Sequence, residues 1–131
     1  MRIVLATAVA LVIAIPLDLG IEALARQAFA RQAFAVSPDF EPFQGTVAPY
    51  TAGGVILAGI AFAVVRRFFR DAARVYVRVA IVTLILSWIP DLALLFINEP
   101  GATVPAVASL MVIHTVAAAV VVTSLLRIAR A

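Results

Sequence analysis

Three ionisable side chains stand inside long apolar runs: Asp18, Asp91 and His114. A carboxylate at membrane depth costs about 3 kcal/mol on insertion scales unless it is paired, protonated or wetted, so such groups face an interior or a cavity. A carboxylate and an imidazole that meet there form a pair able to hold a proton or a polar ligand. Thr83, Ser87 and Asp91 are spaced by four and share one face of a helix. Pro90 cannot donate to the carbonyl of Leu86, which leaves that acceptor free and the helix liable to kink. Ser87 or a water is then the expected partner. Pro16 does the same to Val12, two residues before Asp18. Together Asp18, Ser87, Asp91 and His114 are expected to form a buried hydrogen-bonded cluster that holds the helices in register. The alternative is a small outward-facing polar pocket for a proton or a ligand, lined by the same four residues.

Other chemistry is poorly provided for. The chain has no cysteine, which excludes thiolate metal sites and cysteine nucleophiles. One histidine leaves no multi-histidine metal site within a monomer. Haem on His114 would need an axial partner from another copy or an open iron position. A hydrolase would want a serine or metal beside that histidine, and Ser87, a turn from Asp91, is the sole candidate. No metal, cofactor or catalytic residue is therefore expected, and an intramembrane enzyme ranks last.

The elements that position these groups follow from hydropathy. The 131 residues are 65% hydrophobic and 13% charged, against about a quarter charged in soluble domains; the mean hydropathy is +1.14. Val79–Ile97 carries Asp91 as its one formal charge, and a helix of that length rises about 28 Å, close to the hydrocarbon core of a bilayer. Four such spans nearly exhaust the chain. The expected fold is all-α, an integral membrane antiparallel four-helix bundle with spans at about 3–24, 50–69, 75–97 and 103–126. It forms a single transmembrane domain, with one extracytoplasmic loop at about 25–49. Counting inward from the outer turn, Asp91 lies about 9 Å deep and His114 about 16 Å deep. Their helices are consecutive and antiparallel, so a contact is feasible.

The ten basic residues are all arginine. Arg2, Arg66, Arg67, Arg70, Arg74, Arg78, Arg127 and Arg130 share one side of this topology, and only Arg26 and Arg31 fall on the other. The positive-inside rule then puts both termini in the cytoplasm of an inner membrane. The arginines flank spans and are not interleaved with aromatics along a polar surface, so nucleic acid is not an expected partner. Near Arg66–Arg78 they attract anionic head groups, and Asp71 can pair with Arg67 or Arg74.

Met1–Leu24 resembles a secretory signal in its basic start and thirteen-residue apolar run. The helical pattern continues past the would-be cleavage site, so a retained span is expected. A tandem ARQAF repeat, Ala25–Phe34, follows. Its five-residue period turns the two phenylalanines about 140° apart, while Glu22 and Arg26 pair at i,i+4. Val36–Pro49, with Phe40 and Phe43, is the polar connection. Gly54/Ala58 and Gly59/Ala63 are small-xxx-small steps that predict close packing, within the chain or between copies in a homo-oligomer or larger complex. Thr115, Ala119 and Thr123 predict a second close-packing stripe. A faint echo links IPLDL (Ile15–Leu19) and IPDL (Ile89–Leu92).

The segments LILSWIPDLALLF, ASLMVIHTVAAAVVVTSLLR and TAGGVILAGIAFAVVRRF resemble a group of small bacterial four-helix membrane proteins, domain-of-unknown-function family 6069. The shared features are Ser87 and Pro90 late in the third helix, Met111 and His114 early in the fourth, and the arginine-rich end of the second. The ARQAF repeat lies outside the likeness. The resemblance implies a membrane bundle and no established activity. The expected function is a non-enzymatic structural or accessory bundle; the alternative is a proton-coupled carrier or small-ligand binder using Asp91 and His114.

Overall fold

Long apolar stretches satisfy their backbone groups most simply as helices when lipid is the solvent. The computed structural model, which describes residues 1–29, 45–97 and 100–129, contains four of them. They are α1 (Arg2–Phe29), α2 (Val47–Phe68), α3 (Ala72–Ala93) and α4 (Val104–Ile128). All four are long and apolar enough to cross a membrane. The fold is the antiparallel four-helix membrane bundle read from the sequence.

Boundaries differ from the expected spans for local reasons. α1 runs to Phe29, five residues beyond the expected membrane span and in keeping with a helix expected to continue toward Ser37-Pro38, because Ala, Leu, Arg and Gln are strong helix formers. The Arg26 guanidinium also reaches Glu22 Oε1 at 3.1 Å on the same face. α3 stops at Ala93, and Leu94, Leu95 and Phe96 donate to carbonyls three residues back, a tightened last turn. Asp71 caps α3 by accepting from Arg74 N and pairs with the Arg74 side chain at 3.2 Å. Thr103 caps α4 through Ala106 N, after a turn in which Gly101 takes φ 75. The second half of the ARQAF repeat, with Arg31, and the connection bearing Phe40 and Phe43 lie outside the described residues.

The helices form a ring in chain order. α1 packs most extensively on α4 and next on α2; α3 leans on α4 and only lightly on α2. Ala6, Ala10 and Ala14 of α1 are wholly buried in a cluster with Val55, Phe62, Val121 and Leu125. Their four-residue spacing makes a smooth stripe that lets a neighbouring backbone approach, the condition for dispersion packing in lipid. Gly59 is buried against Thr7. Ala63 and the expected stripe Thr115, Ala119 and Thr123 are exposed. The close-packing stripe is on α1, and the buried residues of α4 are Ala106, Val107, Ile113, Val121, Ser124 and Leu125.

One end of the bundle is pinned by polar links. The Arg66 guanidinium donates to the Ala129 carbonyl at 2.6 Å, tying the end of α2 to the end of α4. Tyr76 Oη donates to the Ala58 carbonyl at 3.3 Å, and its ring meets Phe62 edge-on at 4.8 Å. This end carries Met1 and is called the termini end below. α3 is the least buried of the four helices.

Candidate functional site

The site begins with the polar face of α3. Ser87 Oγ donates to the Leu84 carbonyl at 2.7 Å. The expected partner, the Leu86 carbonyl freed by Pro90, is not the one it takes, because a serine hydroxyl within a helix reaches the i−3 or i−4 carbonyl. Pro90 is accommodated inside α3. Asp91, one turn on from Ser87, is buried at 5% exposure.

α4 brings His114 to this carboxylate. Nδ1 of His114 and Oδ2 of Asp91 stand 2.9 Å apart. Neither atom is reached by solvent, and the contact is not an aligned hydrogen bond. It has the distance of an ion pair without the direction of a ring N–H donating to oxygen. The Asp91 oxygen therefore keeps hydrogen-bonding capacity unspent, which is uncommon for a buried acceptor. Trp88 Nε1 on the same helix is likewise buried without a partner.

Asp18 of α1 is wholly buried. Its Oδ2 accepts from Thr51 Oγ1 of α2 at 2.7 Å, and its Oδ1 has no partner. Thr51 was absent from the expected site. It falls on the buried stripe Val47, Thr51, Val55, Gly59, and a hydroxyl on such a stripe must find a partner; that four-residue register was the available signal.

Between α2, α3 and α4 lies a cleft of about 790 Å³. Thr83, Ser87, Asp91 and His114 line it, with Thr46, Tyr50 and Thr51 from α2. The rest of its wall is small or aliphatic: Gly54, Ala58, Ala61, Ala80, Ala117 and Ala118 among others. Tyr76 closes it toward the termini end. Of the four expected site residues, Ser87, Asp91 and His114 share this cleft. Asp18 does not line it and sits behind Thr51. The cleft is larger and more apolar than a pocket inferred from polar residues alone. Among the packing residues, Gly54 and Ala58 face it, while Gly59 faces α1. Among the described residues no three of His, Asp and Glu gather as metal ligands.

Four membrane-length helices, three of them bordering a cleft with a carboxylate and an imidazole touching on its wall, define a small helical membrane bundle with a polar site at membrane depth. The chain belongs to a family of unknown function, DUF6069, whose model matches residues 1–131. No curated protein and no solved structure matches it.

Proposed function

We propose that this protein is a non-enzymatic ligand-binding bundle of the bacterial inner membrane, with both termini cytoplasmic, holding a small molecule in the cleft beside Asp91 and His114. The observation that carries this reading is the Asp91 carboxylate, 5% exposed, lining a cleft of about 790 Å³ with one oxygen in no aligned hydrogen bond. Pockets of that size take drug-sized molecules, and a few polar groups on an apolar wall fix their orientation. A carrier coupled to protons would use the same pair. The arginine asymmetry supports the orientation.

A second reading, an accessory bundle in which the pair only seats α3 on α4, is favoured by the 2.9 Å contact itself. Extraction of small molecules from protein purified out of native membranes separates the two. Under the ligand reading the wild type carries a molecule that Ala118→Phe, which fills the cleft, does not. Under the accessory reading the two extracts match, and Asp91→Asn and His114→Ala lower thermal stability alone.

A further inference from the structure

The shape and charge of the cleft limit what fits. Its lining on α2 runs from Thr46 to Ala61, about 22 Å along the helix axis. It is therefore a slot and not a round pocket. The polar groups concentrate toward the end away from the termini, where Thr51, Ser87, Asp91 and His114 lie, with Thr83 midway along α3. The remainder is apolar down to Tyr76. A molecule matching both ends is long, thin and amphiphilic. The volume suits one chain, since pockets of roughly 300–1,000 Å³ already bury drug-sized ligands.

The polar end is rich in acceptors and poor in cations. Asp91 lines it and Asp18 stands one residue behind, through Thr51. Asp18 Oδ1 and Asp91 Oδ2 are buried and make no aligned hydrogen bond. Among the described residues that line the cleft there is no arginine, and His114 is the sole basic side chain. The Asp91 carboxylate, whose contact with His114 is unaligned, repels an anionic head group and offers an ammonium head an acceptor. In a medium of low dielectric that difference is large. The seam between α2 and α3, loosest of the ring, gives such a molecule a path from the bilayer.

Resting on the ligand-binding reading above, we infer that the occupant is a single-chain amphiphile with a protonated amine head, its head at Asp91 and its tail along Ala58 and Ala80 toward Tyr76. The test uses the full chain in phosphatidylcholine nanodiscs at pH 7, followed through Trp88, the one tryptophan. Dodecylammonium, dodecanol and dodecanoate are titrated at equal membrane mole fractions. Dodecylammonium is expected to bind saturably and at least tenfold more tightly than the other two. Asp91→Asn should cut that preference at least fivefold, and Ala118→Phe, which keeps the carboxylate, should abolish saturable binding. If Asp91→Asn does not fold, the wild type and Ala118→Phe decide the matter. Equal or tighter binding of dodecanol or dodecanoate overturns the cationic head while leaving a ligand site. An ammonium preference that survives Asp91→Asn or Ala118→Phe also overturns it, since the preference then belongs to the bilayer. No saturable binding by any probe, with native extracts of wild type and Ala118→Phe identical, overturns the ligand-binding reading as well.

Discussion

The α1–α4 seam and the α2–α3 cleft both present small side chains, yet one closes and the other stays open. On α1, Ala6, Ala10 and Ala14 are wholly buried. On α2, Gly54, Ala58 and Ala61 are equally small and line a void. The difference lies in what stands at the end of each row. Nothing bulky interrupts the alanine stripe. Between α2 and α3 the Tyr76 ring wedges against Phe62 and hydrogen-bonds the Ala58 carbonyl. Helices held apart at one end cannot close over small residues beyond it. In lipid, where burial of apolar surface supplies no drive between helices, a small residue produces contact or cavity according to where its larger neighbours sit.

This contrast predicts the largest effect at Gly59. A Cβ there would collide with the Thr7 hydroxyl and crowd Thr7 Cγ2 at 3.2 Å. Thr7 has little freedom to yield, since it is β-branched and its hydroxyl donates to Ile3 O at 2.9 Å. Gly59→Leu should therefore destabilise by about 3 kcal/mol, at the upper end for overpacking, read as a lower melting temperature in detergent. Gly54→Leu is the matched change in the cleft, where a Cβ meets nothing within 4 Å. It should be neutral, or stabilising by up to about 1 kcal/mol through helix propensity, while lowering ligand capacity. Equal destabilisation by both would erase the distinction.

Thr51→Val should cost about 1–3 kcal/mol in the same melting experiment, because it leaves the Asp18 carboxylate without its donor. Adding Asp18→Leu should recover much of the loss, since replacing both partners by apolar groups removes the unsatisfied acceptor. Arg66→Ala should cost less, about 1 kcal/mol or below, by releasing the Ala129 carbonyl at the partly buried end of α4. Smallest of all, Ile85→Ala on the exposed side of α3 should fall within about 0.5 kcal/mol of wild type.

Much of the architecture could be read before any coordinates. Span length and apolarity decide a membrane helix without tertiary information, and four such spans leave little choice of topology. Depth counting put Asp91 and His114 within little more than a turn of each other, and their atoms stand 2.9 Å apart. The facing of each helix was less legible. α1 reads from the sequence as a retained span with a signal-like start, and its buried face goes unread, although Ala6, Ala10, Ala14 and Asp18 repeat every four residues and mark a buried stripe. The Thr115, Ala119 and Thr123 stripe had the same spacing and faces outward, because spacing names a face but not its neighbour. Periodicity within α2 marks Thr51 as buried but does not name Asp18 as its partner; that pairing, and the cleft itself, depend on where helix axes sit relative to one another.

The contrast between a closed seam and an open cleft is tested most directly by thiol accessibility, for which the cysteine-free chain is suited. Single cysteines are placed by Ser87→Cys on the cleft wall and Ala10→Cys in the seam, and alkylation by a small membrane-permeant maleimide is timed in native membranes. The account predicts rapid labelling at position 87, slowed by an occupant of the cleft, and none at position 10 until the protein is unfolded. Equal protection at both positions would contradict it, since α2, α3 and α4 would then close on one another and leave Asp91 no space to serve.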